Sequence, residues 1–293
     1  MRIIVESGST KADWMLIDDL GSKALTTIGF NPFFHTKEDI LIELNDQLEL
    51  DLIKEDVTEL HFYGAGCSSR QLNKTIQEGL ESFFTHAIVT VEHDLLAAAI
   101  ALYEEEPLIS CILGTGSNSC YFDGNNIKEK SPALGYVLGD EGSGSYFGKR
   151  ILRDFLYGRL PDKLNKEFRD LGTTKRSVQE NVYMRSNANV YIASHAPIIV
   201  RNMDISYCQE LVREGFREFI NLHVMPFEES KRCKVSFVGS VASLLQNELK
   251  AVCEEEGLQF GKTVRRPLEN LVKHHTGKVL STKDKVALNF NNN

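Results

Sequence analysis

Leu108-Ile109-Ser110-Cys111-Ile112-Leu113-Gly114-Thr115-Gly116-Ser117-Asn118-Ser119 joins a short apolar run to a turn made of glycine and hydroxyl side chains. The run reads as a buried strand, and the glycines let the chain reverse tightly into a second strand that closes at Tyr121-Phe122-Asp123-Gly124-Asn125. The N-terminus carries the same pattern. Ile3-Ile4-Val5 is followed by Glu6-Ser7-Gly8-Ser9-Thr10-Lys11 and then by a second apolar strand over 14–17. One such turn is as readily a plain hairpin as a ligand site. Two at equivalent points read as a repeat, and a pair of repeated Gly/Ser/Thr turns can grip one phosphate chain from two sides.

Outward from these turns the elements alternate. Ile40, Leu41, Leu44 and Leu48 mark a helix over 39–50; a strand over 59–63 ends in Gly64-Ala65-Gly66; a helix over 71–84 follows. A strand over 87–91 runs into Asp94, and an apolar helix over 95–103 ends at Glu104-Glu105-Glu106-Pro107. Beyond the second hairpin, residues 154–232 read as mostly helical, a strand over 234–238 leads to Gly239-Ser240, and a helix spans 241–256. The asparagine-rich tail, 288–293, is expected to fray. This order predicts an α/β chain of two domains, 1–107 and 108–293, each a mixed sheet with helices on both faces. A cleft between them is the expected ligand site.

Composition narrows the function. A chain of 293 residues with a formal net charge of −8 is a poor candidate for nucleic acid, whose binders carry the opposite sign. No apolar run nears the roughly 20 residues that span a bilayer, and the N-terminus lacks a signal-peptide pattern, so neither membrane nor export is expected. The six cysteines are scattered without a C-x-x-C pair and read as reduced, mostly buried thiols of a cytoplasmic protein.

The candidate chemistry is that of phosphate and hydroxyl groups. Glu6, at a strand end, could hold Mg²⁺ as a hard oxygen ligand, and Ser7, Gly8, Ser9, Thr10 and Lys11 form the first phosphate turn. Gly114, Thr115, Gly116 and Ser117 form the second. Gly239 and Ser240 precede a helix and suit the nucleoside end of a nucleotide. Asp94 serves equally well as a helix N-cap or as a general base toward a hydroxyl that attacks a γ-phosphate. Asp140 and Glu141, in Gly139-Asp140-Glu141-Gly142-Ser143, either cap a helix or accept hydrogen bonds from sugar hydroxyls.

Taken together and in this order, the motifs resemble the N-acetylglucosamine kinase and BadF/BadG/BcrA/BcrD ATPase group, within the superfamily of actin, heat-shock chaperones and sugar kinases. The resemblance covers nearly the whole chain. It implies two actin-like (ribonuclease H-like) domains around an interdomain cleft, with the last helix packing back on the N-terminal domain. It implies an ATP-dependent kinase of an amino sugar, most simply N-acetylglucosamine phosphorylated at O6, with ATP and Mg²⁺ as cofactors. Asp94 stands at the family's catalytic aspartate. Asn31, Asn118, Gly135, Asp140 and Glu141 stand in its sugar-contacting segments. The resemblance involves no nucleic acid or membrane partner and admits a homodimer. Two departures stand out: Glu6 replaces the aspartate that usually opens the first motif, and Leu134 stands where better-known members carry a tryptophan. The same group also contains ATPase activators of radical enzymes, and the superfamily contains sensors without catalysis.

Overall fold

The computed structural model describes residues 1–8, 10–185 and 187–277. Ser9, assigned above to the first phosphate turn, and the tail 288–293 lie outside the described residues. The chain divides into two compact units, one of residues 1–101 with 266–277, the other of residues 102–265.

Continuous β-branched and apolar runs give the central strands. In the first unit β1 (Arg2–Ser7), β2 (Lys11–Ile17), β3 (Ser22–Ile28), β4 (Glu59–Gly64) and β5 (Ile88–His93) form one sheet in the order β3-β2-β1-β4-β5. β1 pairs antiparallel with β2 and parallel with β4, so the sheet is mixed. Alternation then sorts β1 by face. Ile3 and Val5 join a core with Trp14, Phe30, Phe62, Ile76 and Leu80. Ile4 joins Met15, Ile17, Ala97, Leu268 and Leu271 on the other side. Helices Lys37–Asn45 and Arg70–Phe83 supply residues to the first face, and helices Asp94–Leu102 and Leu268–Thr276 supply the second.

The second unit repeats the plan. β6 (Leu108–Leu113), β7 (Ser117–Phe122), β8 (Ile127–Lys128), β9 (Lys234–Val238) and β10 (Gln259–Val264) take the order β10-β9-β6-β7-β8. Here β6, β7 and β8 are successive antiparallel neighbours, while β6, β9 and β10 are parallel, the arrangement of β1 to β5 over again. Both Gly/Ser/Thr turns therefore fall at one topological position, between the first and second strands of a unit. Ile109, Cys111, Leu113, Val235 and Phe237 form the sheet side of the core, against Phe147, Ile151, Val212, Phe216 and Leu249 from helices. All six cysteines are free thiols, five of them buried. No helix among the described residues is long and apolar enough to cross a membrane.

Three expectations change in detail. The helix predicted over 39–50 is two, Lys37–Asn45 and Leu48–Asp51, the first begun by a reciprocal Thr36–Asp39 capping box. The helix predicted over 241–256 is broken at Leu245, whose φ of −115° leaves the helical region. The edge strands β3, β8 and β10 were not anticipated.

Helix Leu268–Thr276 is fastened to the sheet by a histidine cluster. The His275 ring stacks on His61 at 3.9 Å, its Nε2 lies 2.9 Å from the Tyr63 hydroxyl, and its carbonyl accepts from Arg2 Nη1 at 2.9 Å. Burial, then the nearby His61, His274 and Arg2 charges, push His275 down to about 4 from an ordinary 6.5. Between those values the unfolded chain binds a proton that the folded chain does not, so stability falls as pH drops from about 6.5 to about 4. His275→Phe, which keeps the stacking, should flatten the fall of melting temperature over that window. An unchanged slope would remove His275 as its source.

Candidate functional site

In the first unit, strand register gathers carboxylates. Glu6 on β1 stands directly opposite Asp13 on β2, so both side chains share the face that carries Ile4, Met15 and Ile17. Asp13 is 2% exposed, and its Oδ1 accepts from Lys11 Nζ at 3.0 Å and Thr26 Oγ1 at 3.1 Å. Burial first, then the charges of Asp13 and Asp94, push the Glu6 carboxyl up to about 8, against a smaller pull from Lys11 and Arg266. Asp13 is absent from the sequence-based candidates. Its signal was the spacing Asp13, Met15, Ile17, which puts a carboxylate on an otherwise apolar face.

The first turn is closed by Gly8 N–H donating to the Lys11 carbonyl at 3.0 Å. Ser7, on the opposite face from Glu6, is fully buried, and its hydroxyl accepts from Phe30 N at 2.9 Å. That hydroxyl is thus spent on holding the Gly29–Asn31 segment beside the turn. Gly29 fits there because it has no side chain: a Cβ would lie 2.0 Å from the Gly8 carbonyl oxygen. Lys11 likewise directs its ammonium at Asp13. Asn31 is 6% exposed, with Oδ1 accepting from Phe33 N at 3.0 Å, which leaves its Nδ2 as the end able to donate to a ligand.

Asp94 opens helix Asp94–Leu102 directly after β5. Its Oδ1 lies 2.6 Å from His93 Nδ1, with side chains 21% and 14% exposed, so Asp94 is only partly buried. The Leu95 N–H also points at His93 Nδ1, 3.0 Å away. A nitrogen that accepts from Leu95 carries no proton for Asp94, so the two contacts compete.

In the second unit, three candidate segments converge. The carbonyls of Gly114 and Thr115 accept from Gly144 N at 2.8 Å and Ser145 N at 2.9 Å, which ties the second turn to the start of helix Gly144–Leu156. Asp140 lies over the same turn. Its Oδ1 accepts from Ser117 N at 3.3 Å, and a Cβ on Gly116 would come within 3.0 Å of its Oδ2. Asp140 has a φ of 60°, in the left-handed region that non-glycine residues occupy sparingly. Burial pushes its carboxyl up to about 6; the Ser117 N–H and Lys149 oppose this, and Glu141 adds to it. Asn118 Oδ1 accepts from Ser119 N at 2.8 Å, again leaving the amide nitrogen to donate. The third turn belongs here too: a Cβ on Gly239 would lie 3.0 Å from Gly114 N. Gly135, at φ 70°, begins the short helix Gly135–Leu138, and Leu134 before it is 55% exposed.

Glu141 meets a residue that sequence reasoning did not single out. His223 Nε2 lies 3.2 Å from Glu141 Oε2, with side chains 5% and 12% exposed. His223 sits on the π-helical turn Ile220–Val224, a local form over-represented at functional positions. Among the described residues no group of three or more His, Cys, Asp or Glu side chains is arranged to hold a metal ion by itself.

The chain matches no family model and no curated protein. Solved structures do match. A "putative N-acetylglucosamine kinase" from Porphyromonas gingivalis is 33% identical with a TM-score of 0.88, over 95% of this chain and 99% of that one. A second "putative N-acetylglucosamine kinase", from Chromobacterium violaceum, is 15% identical with a TM-score of 0.62, over 92% and 96% of the two chains. A ROK family glucokinase from Streptomyces griseus, solved with glucose and AMPPNP, is 14% identical with a TM-score of 0.52, over 90% and 93%. The last two carry the fold alone. With the two mixed five-stranded sheets, these likenesses make this an actin-like, two-domain sugar-kinase fold.

Proposed function

This chain belongs to the actin-like sugar-kinase family, and from that premise we propose that it transfers the γ-phosphate of ATP to a hydroxyl of an amino sugar. N-acetylglucosamine, phosphorylated at O6, is the acceptor we assign, and we place the chain in the BadF/BadG/BcrA/BcrD-related group on its motifs. The observation that carries the reading is the full-length likeness to the Porphyromonas gingivalis structure.

The residues divide the work as follows. Asp94 takes the proton as the sugar oxygen attacks phosphorus and the bond from the γ-phosphorus to the bridging oxygen breaks, releasing ADP. Thr10 of the first turn, and Thr115, Gly116 and Ser117 of the second, offer N–H or hydroxyl groups to phosphate oxygens, while the N–H groups of Gly8 and Gly114 close the two turns onto the Lys11 and Gly116 carbonyls. Ser7 acts through the segment that its hydroxyl holds. Gly239 and Ser240 face the nucleoside end. Asn31 and Asn118 donate to sugar oxygens through their amide nitrogens, Asp140 and Glu141 accept from sugar hydroxyls, and Gly135 contributes backbone.

Mg²⁺ fits Glu6. It binds through one or two carboxylates plus waters and phosphate oxygens, so a three-ligand protein cage is not required. Glu6, with its carboxyl pushed up to about 8, carries its proton at neutral pH and would release it on meeting a dication. The bound ion would neutralise charge on the β- and γ-phosphates. The activator reading gains nothing from Cys67, which is 2% exposed with its thiol pushed up to about 12.

ADP release measured with MgATP across glucosamine, N-acetylglucosamine, N-acetylmuramate, N-acetylmannosamine and glucose tests the assignment. Stimulation should be greatest with N-acetylglucosamine, and no stimulation by any of the five would sink the kinase reading. Asp140 adds a pH signature. A carboxyl raised to about 6 is protonated below that pH and then accepts fewer hydrogen bonds, so sugar KM should climb as pH falls through 6, by up to about tenfold per unit. In Asp140→Asn, KM should be high and nearly independent of pH. A wild-type KM that is flat from pH 7.5 to 5 would remove Asp140 from the sugar.

A further inference from the structure

We propose that His223 is a positioning residue for Glu141, holding this carboxylate so that its remaining lone pairs serve a sugar hydroxyl; this rests on the sugar-kinase reading. His223 connects two parts of the second unit that carry sugar candidates. Its ring reaches Glu141, next to Asp140 in the chain, with Nε2 to Oε2 at 3.2 Å. Its carbonyl accepts from Ser119 Oγ at 2.6 Å, and Ser119 N in turn donates to Asn118 Oδ1 at 2.8 Å. One residue thus fixes Glu141 from one side and the strand position beside Asn118 from the other.

The chemistry of the ring points the same way. His223 stacks on Phe219, centroids 5.1 Å apart and planes 16° apart, a contact that needs only a flat ring. Its Nδ1 is buried and has no hydrogen-bond partner. A ring nitrogen buried without a partner costs stability that an apolar ring would not, so packing alone does not account for a histidine here. What histidine supplies beyond phenylalanine is the Nε2–H aimed at Glu141. Among the described residues His223 is the only hydrogen-bond partner of this carboxylate, which leaves Glu141 Oε1 to accept from a ligand. A carboxylate tied at one oxygen binds a hydroxyl with less ordering cost than one that samples several rotamers.

The test measures equilibrium binding of the five sugars by calorimetry, alongside turnover, on the full chain. His223→Phe should weaken binding of the sugar that wild type prefers by about tenfold, with the KM for ATP unchanged. His223→Gln, whose amide can donate to Glu141, should recover to within about threefold of wild type. In a Glu141→Ala background, His223→Phe should have no further effect on sugar affinity, because the carboxylate it positions is gone. Wild-type affinity in His223→Phe would overturn the proposal, as would an equal loss in the Glu141→Ala background or a parallel rise in the KM for ATP. Should His223→Phe fail to fold, His223→Leu, which is apolar and likewise has no donor for Glu141, carries the same cycle with and without Glu141→Ala. Sugar binding without sugar-dependent turnover would defeat the kinase reading and leave the His223 cycle intact, whereas no binding of any sugar by wild type would defeat both.

Discussion

Asp94→Asn should reduce sugar-dependent ADP release by about 10²–10⁴-fold while leaving the melting temperature within about 2 °C of wild type. The substitution separates the two roles open to this side chain. Asparagine caps a helix about as well as aspartate, so a purely structural Asp94 predicts a variant that is both stable and active. An amide does not take a proton at neutral pH, so a catalytic Asp94 predicts a stable but inactive one. The surroundings favour the second outcome. Asp94 keeps about a fifth of its side chain exposed at the end of β5, next to His93 and close enough to Glu6 for its charge to raise that carboxyl. Removing the negative charge should also let Glu6 ionise more readily, so Mg²⁺ affinity should not collapse together with kcat. The decisive measurements are kcat with N-acetylglucosamine and the melting curve of the same preparation. A kcat within about threefold of wild type would return Asp94 to the role of a cap.

The legible part of the fold was the part built from strong local signals. β1, β2, β4, β6, β7 and β9 each adjoin a glycine turn or a proline, β5 runs into Asp94, and each was read from the chain alone. β3 was not. Its Ser22–Ile28 sequence is mostly half-exposed and pairs on one side only, with β2, so no hydrophobic alternation marks it. β10 was obscured in the same way by Gly261 and Lys262 in an edge strand. For the site, glycine turns and strand-end carboxylates announced themselves because their spacing is local. Asp13 had a local signal, its place in the β2 alternation, but no motif. His223 had none: its meaning lies in contact with Glu141, 82 residues away, and in a π-helical turn that residue pattern does not foretell. Ser7 shows the reverse case, where a residue type suited to phosphate is turned inward by strand parity.

Gly239→Ala is expected to be the most damaging single-methyl change near the candidate site, and a paired Gly114→Ala shows why. Gly239 has φ 127° and ψ 165°, a region that is open essentially only to glycine. An added Cβ would stand 2.2 Å from the Leu113 carbonyl oxygen, 2.6 Å from its carbon and 3.0 Å from Gly114 N, all backbone atoms without a rotamer to yield. Relief therefore has to come from moving the end of β6, the end of β9 or the second turn itself. Strain and displacement together should cost about 3 kcal/mol or more, near 10 °C in melting temperature for a chain of this size. In whatever fraction folds, the KM for ATP should rise at least about tenfold, because Gly114, Thr115 and Gly116 shift with the strand end. Gly114 sits in the same corner, yet its added Cβ would meet nothing within 4 Å. Gly114→Ala should therefore keep near-wild-type stability, and any loss of ATP affinity in it would reflect a ligand that approaches this backbone closely. Thermal melts of both variants, together with ATP titrations, distinguish the outcomes. If Gly239→Ala melts with wild type, β6 and β9 do not meet at this turn as described, and the assignment of Gly239 and Ser240 to the nucleotide loses its geometric basis.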